Sequence, residues 1–379
     1  MGRQPADGPR PTMVTVTVVC GAVWLASAGA MVAADGAIDP GDTVSREAAD
    51  PFLAQPALGC LWEVPVLVIT CLPSRDGTNV DPDVTGMTST VADARDRARM
   101  LSVRTKFALE EGSRFHACAH PDAKPSIGYR IVDMWTVLEP LPHGEPAGEG
   151  VWFPDYDAIL RRFDIRHYVE DLGVKQVWLW GYHHGEIVPA ESNMASPASG
   201  DISNSYRFPD DMPILSKTYV LYNYNITRDA RCAVENHGHQ LESQLDYIDA
   251  DLFRTRFAAP GRCGNVHCPP NTTKDYDVAN PTAAVSDIAD WTPDGTGASS
   301  PVSAATWLDR TYDWPDGVDR FPEWDGLYWF IYWMQSFPGR GNTIRMGDGY
   351  MTNWWAFVGD WDGSLGQGLR LYAGIPAAR

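Results

Sequence analysis

Val64-Pro65-Val66-Leu67-Val68-Ile69-Thr70-Cys71 is an unbroken, mostly β-branched apolar run. A run of this kind suits a strand covered on both faces, as in the middle of a parallel sheet. Downstream, a polar loop with Asp76, Gly77, Asp81 and Asp83 leads into an amphipathic helical pattern over residues 90–111. A second strand is predicted over 129–138, a helix over 156–172 ending at Gly173, a third strand over 174–180 and a fourth over 218–224. A helix over 229–252 follows. Strands alternating with helices predict an α/β fold: a mostly parallel, doubly wound, flavodoxin-like sheet with helices on both faces. Ligands of such sheets bind beyond the C-terminal strand ends. After residue 255 the rhythm stops, and eight of the fifteen tryptophans lie beyond residue 306 in an irregular C-terminal part. The expected organisation is therefore a core domain over 59–255 with a Trp-rich part over 256–379 packed on it.

Upstream, residues 1–34 read as an export signal. Arg3 and Arg10 precede an apolar run from Met13 to Met31, and Ala28-Gly29-Ala30 and Val32-Ala33-Ala34 are small-residue cleavage patterns. An uncleaved anchor is the rival reading, and it would be the chain's one tie to a membrane. Residues 35–58, rich in Ala, Asp, Gly and Pro, read as a linker. Export predicts a secreted, extracellular protein. The six cysteines beyond the signal, Cys60, Cys71, Cys118, Cys232, Cys263 and Cys268, are then expected as three disulfides, with fifteen pairings open.

With 379 residues, 44% of them hydrophobic, the chain is long enough for one large domain or two. Its 30 basic and 49 acidic residues give a net charge of −19, which disfavours a nucleic-acid partner. There is no Gly-x-Ser-x-Gly elbow, phosphate loop, dinucleotide fingerprint or His-Glu-x-x-His motif.

Three clusters remain as candidates for chemistry. In Asn236-His237-Gly238-His239-Gln240-Leu241-Glu242-Ser243, His239 and Glu242 share a helix face and could ligate zinc, with His267 as third ligand. The plainer alternative is a helix whose His and Glu bond to each other. Glu191, in the loop after His183-His184, could act as a general acid or base. Asp275 and Asp277, with Asn271, Tyr276 and Asn280, could supply a carboxylate partner or calcium ligands, or simply make turns. Asn353, Trp354, Trp355 and Trp361 are candidates for an exposed platform that stacks on sugar rings, against the alternative that these rings form a core.

Val177-Trp178-Leu179-Trp180-Gly181, Glu191-Ser192-Asn193-Met194, Gly238-His239-Gln240-Leu241-Glu242-Ser243 and Cys263-Gly264-Asn265-Val266-His267, with Pro270-Asn271 and Asp275-Tyr276-Asp277, form an ordered set. Residues 172–290 thereby resemble a family of large secreted bacterial proteins with no assigned activity. The resemblance implies a secreted bacterial setting and draws attention to Glu191, His239, Glu242, His267, Asp275 and Asp277. The expected function is a secreted hydrolase of an extracellular polymer, a polysaccharide before a peptide. In one version Glu191 or Glu242 works with Asp275 or Asp277, and in the other zinc activates the water. The alternative from another class is a non-catalytic glycan-binding or cell-surface protein.

Overall fold

The computed structural model describes residues 43–48, 50–205, 208, 211–315 and 325–373. The predicted signal over 1–34, the first part of the predicted linker and Trp324 lie outside the described residues. No helix among the described residues is long and apolar enough to cross a membrane.

In chain order the elements that matter are β1 (Val44–Glu47), β2 (Trp62–Cys71), α1 (Pro82–Thr85), α2 (Val91–Gly112), β3 (Ile127–Val137), β4 (His143–Gly148) and β5 (Val151–Pro154). Next come α3 (Tyr156–Arg162), β6 (Gln176–Gly181), β7 (Ser192–Ala195), β8 (Tyr219–Asn225) and α4 (Ala230–Ala250). β9 (Ala284–Ser286), β10 (Ser300–Val302), α5 (Ala304–Leu308) and α6 (Asp325–Met334) follow.

The parallel, doubly wound, flavodoxin-like sheet expected from the sequence is not what forms. The main sheet is mixed, six strands in the order β1-β3-β2-β6-β8-β7. Its inner strands β3, β2, β6 and β8 run parallel. Both edges are antiparallel, β1 against β3 and β7 against β8. The other described pairs, β4 with β5 and β9 with β10 among them, are antiparallel too. Two short segments were invisible as strands because neither carries an apolar alternation: Val-Ser-Arg-Glu inside the predicted linker, and Ser-Asn-Met-Ala inside a polar stretch. The predicted helix over 156–172 breaks at Asp164, whose φ of +48° is left-handed. α3 stops at Arg162, and a π-helical turn, His167–Asp171, completes the segment.

β2 divides two apolar cores. Val64, Val66 and Val68 pack with Ala94, Ala98 and Leu101 of α2 and Leu241 and Leu245 of α4. Leu67 and Ile69 face the other way, onto Ile159 and Leu160 of α3 and onto Tyr168 and Val169 of the π-turn. The first core runs without a break into the C-terminal tryptophans, and α6 contributes Leu327, Trp329 and Trp333 to it. α2 begins at a capping Thr90, whose Oγ1 accepts from Asp93 N at 3.0 Å. Lys106 and Glu110 are buried together inside it, with Nζ 2.6 Å from Oε2.

No disulfide forms among the described residues. Cys263 and Cys268, neighbours enough in sequence to close a loop, stay apart. Cys263 is buried, and the Cys268 thiol points instead to Asp275 Oδ1 at 3.2 Å.

Candidate metal centre

α4 lays its N-terminal half against the outer edge of the main sheet, and its two faces have separate duties. On one face Asn236 Nδ2 donates to the carbonyls of Glu191 and Asn223. Gln240 Oε1, one turn on, accepts from Ser192 Oγ at 2.7 Å. These bonds fasten the chain entering β7, and Glu191 with it, to the helix. The other face carries Glu235, His239 and Glu242, four and three residues apart and therefore stacked on one side.

Opposite that face runs the loop 263–268. It can lie against the helix because position 238 is glycine: a Cβ there would sit 2.6 Å from Val266 Cγ2. Gly264 takes a left-handed φ of +71°, and a side chain there would meet Cys268 O at 2.5 Å. Asn265 Oδ1 accepts from the backbone N–H groups of His267 and Cys268 at 2.9 and 2.8 Å. From α6, Trp329 Nε1 and Trp333 Nε1 donate to Val266 O and Gly264 O, both at 3.3 Å. The result is a tightly held loop that aims His267 at α4.

The ligand atoms of Glu235, His239 and His267 converge, all within 4.8 Å of one another, as a possible metal-binding triad. His267 Nε2 is 3.0 Å from His239 Nε2 and 3.4 Å from Glu235 Oε1. His239 Nε2 is 3.9 Å from Glu235 Oε1. A tetrahedral first-row ion with bonds of about 2.1 Å has ligand–ligand edges of about 3.4 Å, so these separations fit one ion. Among the described residues this is the one such group found.

The predicted set of His239, Glu242 and His267 is thus corrected at one member. Glu242 does not converge with the two imidazoles' Nε2 atoms. Its Oε2 lies 3.4 Å from His239 Nδ1, and its Oε1 accepts from Val266 N at 3.0 Å. Glu242 therefore orients His239, turning its Nε2 toward Glu235 and His267, and pins the loop that carries His267. Glu235, one turn earlier, takes the ligand position. Its spacing, four residues before His239 on the same helix face, is compatible with that position but does not single it out.

The electrostatics follow from this packing. Burial works against charge on His239, but the carboxylates of Glu242, Glu191 and Glu235 outweigh it and raise the imidazole pKa to about 9. Burial likewise opposes charge on Glu235, yet hydrogen bonds from His267 and Tyr276 and the two neighbouring imidazoles hold its carboxyl below the usual range.

Around the triad, the Glu191 side chain is 43% exposed, with Oε2 4.0 Å from His239 Nε2 and accepting from Asn204 Nδ2 at 2.6 Å. Tyr276 Oη lies 2.9 Å from His267 Nε2. Asp275 accepts from the Cys268 thiol, and Asp277 Oδ2 accepts from Thr272 Oγ1 at 3.3 Å. Asn271 Nδ2 donates to the carbonyls of Asn280 and Thr282. These bonds brace the turns of the third cluster. His183 and His184 stand apart from the triad, His184 packing on Gly86.

The aromatic platform is also corrected. Trp354 and Trp355 are 0% and 1% exposed and Trp361 is 5% exposed. Their faces pack against Phe337 and Phe357, and Trp354 Nε1 donates inward to Leu371 O at 2.9 Å. Asn353 caps the same turn, donating to Ser126 Oγ and accepting from Trp355 N, both at 3.1 Å. Burying an indole releases more free energy than presenting it to water, and here every one of these rings found a core to enter.

No family model, curated protein or solved structure matches the chain. What the site can do therefore rests on its own geometry. Cavities of about 360, 600 and 430 Å³ lie elsewhere, and none is lined by Glu235, His239 or His267.

Proposed function

We propose that the protein is a metal-dependent hydrolase in which Glu235, His239 and His267 hold a zinc ion and Glu191 manages the proton of the attacking water. The observation that carries this reading is the convergence of two imidazole Nε2 atoms and one carboxylate oxygen, drawn from α4 and a separate loop. Two imidazoles and a carboxylate are a donor set that binds zinc and leaves room for water. The ion would lower the pKa of that water toward neutrality and polarise the substrate oxygen. Glu191 is poised for the proton: it is partly exposed, held by Asn204, and tied through its backbone to Asn236.

The preferred bond is an ester or amide. Glycosidic hydrolysis by carboxylates alone needs two free acids facing each other across the bond. Here Glu242 is committed to His239 and Val266, Asp275 to Cys268 and Asp277 to Thr272. With the tryptophans buried, the preference for a glycan loses its support. Glu191 and Tyr276, both partly exposed beside the triad, leave the centre open to a segment of a polymer. The export reading of residues 1–34 places that polymer outside the cell.

The test is total metal analysis of the purified full chain, dialysed against zinc, beside hydrolysis of a panel of ester- and amide-linked polymers. One zinc per chain is expected for the wild type and none for His267→Ala. Glu191→Gln is expected to keep its zinc and lose about 10²–10⁴-fold in kcat. A wild type that takes up no zinc overturns the metal centre. Stoichiometric iron in its place would replace hydrolysis with oxygen chemistry.

A further inference from the structure

The geometry points to Tyr276 Oη as a fourth protein ligand of the ion held by Glu235, His239 and His267. This inference rests on the metal-centre reading above and extends it to the state of the centre before substrate arrives.

The first argument is valence. His267 Nε2 has three polar neighbours: Tyr276 Oη at 2.9 Å, His239 Nε2 at 3.0 Å and Glu235 Oε1 at 3.4 Å. An imidazole nitrogen offers one proton or one lone pair in the plane of its ring, so it satisfies one of these neighbours at a time. As a hydrogen-bond set the cluster leaves that nitrogen one partner, and the Glu235 carboxylate accepts from both His267 and Tyr276. As corners around a cation it is ordinary, because each group then donates its own lone pair to a shared centre.

The second argument is backbone conformation. Tyr276 has a φ of +62°, in the left-handed region that aromatic residues rarely occupy. Its own N–H donates to His267 O at 2.9 Å, so the chain from 267 to 276 closes on the ligand loop and delivers the phenol to the site. The third is exposure. Tyr276 is 51% exposed, and its ring lies 4.5 Å from that of His267. A phenol at the surface can turn its hydroxyl to water at no cost. This one turns it to the cluster.

On coordination the phenolic O–H bond breaks, the oxygen's lone pair forms the bond to the metal, and the proton passes to bulk water; no electrons are transferred. Four protein ligands close the centre, whereas a working zinc site keeps one position open. Substrate must therefore displace Tyr276. Half-exposed on a turn, the phenol can leave without disturbing either core.

The experiment titrates the metal-depleted full chain with zinc chloride. Bound zinc is followed by equilibrium dialysis and tyrosinate by near-ultraviolet difference absorbance, in parallel with Tyr276→Phe. Copper(II) serves as a second probe, through the visible charge-transfer band of a metal-bound phenolate. The expected result is a tyrosinate signal that saturates at one per bound zinc. It should be absent from Tyr276→Phe, which still binds one zinc but about tenfold or more weakly. Zinc bound without the signal, or a signal that survives in Tyr276→Phe, overturns the role of Tyr276 and leaves the three-ligand centre standing. Failure of both proteins to bind zinc overturns the centre itself.

Discussion

The carboxylate of Glu242 accepts from Val266 N with one oxygen and faces His239 Nδ1 with the other, so a single side chain sets the tautomer of one ligand and the seat of another. Glu242→Gln keeps an acceptor for Val266 but brings an amide N–H₂ against Nδ1, and two donors then face each other. Zinc affinity is expected to fall about 10–100-fold with stoichiometry unchanged, read by titration calorimetry. An unaltered affinity would remove Glu242 from the site. This pair was legible in the sequence, because three-residue spacing on a helix leaves few other geometries. Glu235 was not: at four residues before His239 it follows the same rule, but nothing local distinguishes a ligand from one more surface acid. Only the arrival of a second imidazole from 28 residues away separates them.

At the scale of elements, the site depends on how closely the 263–268 loop approaches α4. Gly238→Ala places a methyl group 2.6 Å from Val266 Cγ2, a β-branched side chain with little freedom to yield. Overpacking costs about 1–3 kcal/mol, and alanine returns about 1 kcal/mol of helix propensity. The expected outcome is a small change in Tm with zinc affinity reduced about tenfold, measured by denaturation and calorimetry on the same sample. Full affinity in the variant would show that this contact does not seat the loop. The long elements were legible: Val91–Gly112 and Ala230–Ala250 fall within a residue or two of their expected bounds. The edge strands were not. Four residues such as Ser-Asn-Met-Ala carry no period, and they become a strand because β8 offers them an unpaired edge.

For the whole molecule, compaction governs what happened to charge and to indoles. Burial, with Arg228 adding to it, lowers the His183 imidazole pKa to about 3, and its Nε2 has no hydrogen-bond partner. A base depressed by folding adds no pH dependence above its unfolded pKa of about 6.5. Below that the unfolded chain takes up a proton that the native state refuses. Stability therefore falls by up to about 1.4 kcal/mol per pH unit until the folded value near 3 is reached. His183→Asn is expected to flatten part of the acid limb in urea unfolding measured between pH 7 and pH 4. An unchanged limb would mean that His183 titrates normally. The tryptophans teach the complementary lesson. Composition alone cannot separate a stacking surface from an interior, and Trp354, Trp355 and Trp361 became interior because α2, α4 and α6 supply one shared core for them.

The loop bearing His267 is suspended from α6 by two indole N–H groups and braced by Asn265 and Glu242. None of those struts needs an ion. A zinc finger collapses when its cation is stripped, because the cation is its core. Here the receptacle is finished beforehand, so a chelator should empty it while circular dichroism stays as it was, and the ion can be exchanged like a part rather than refolded like a domain.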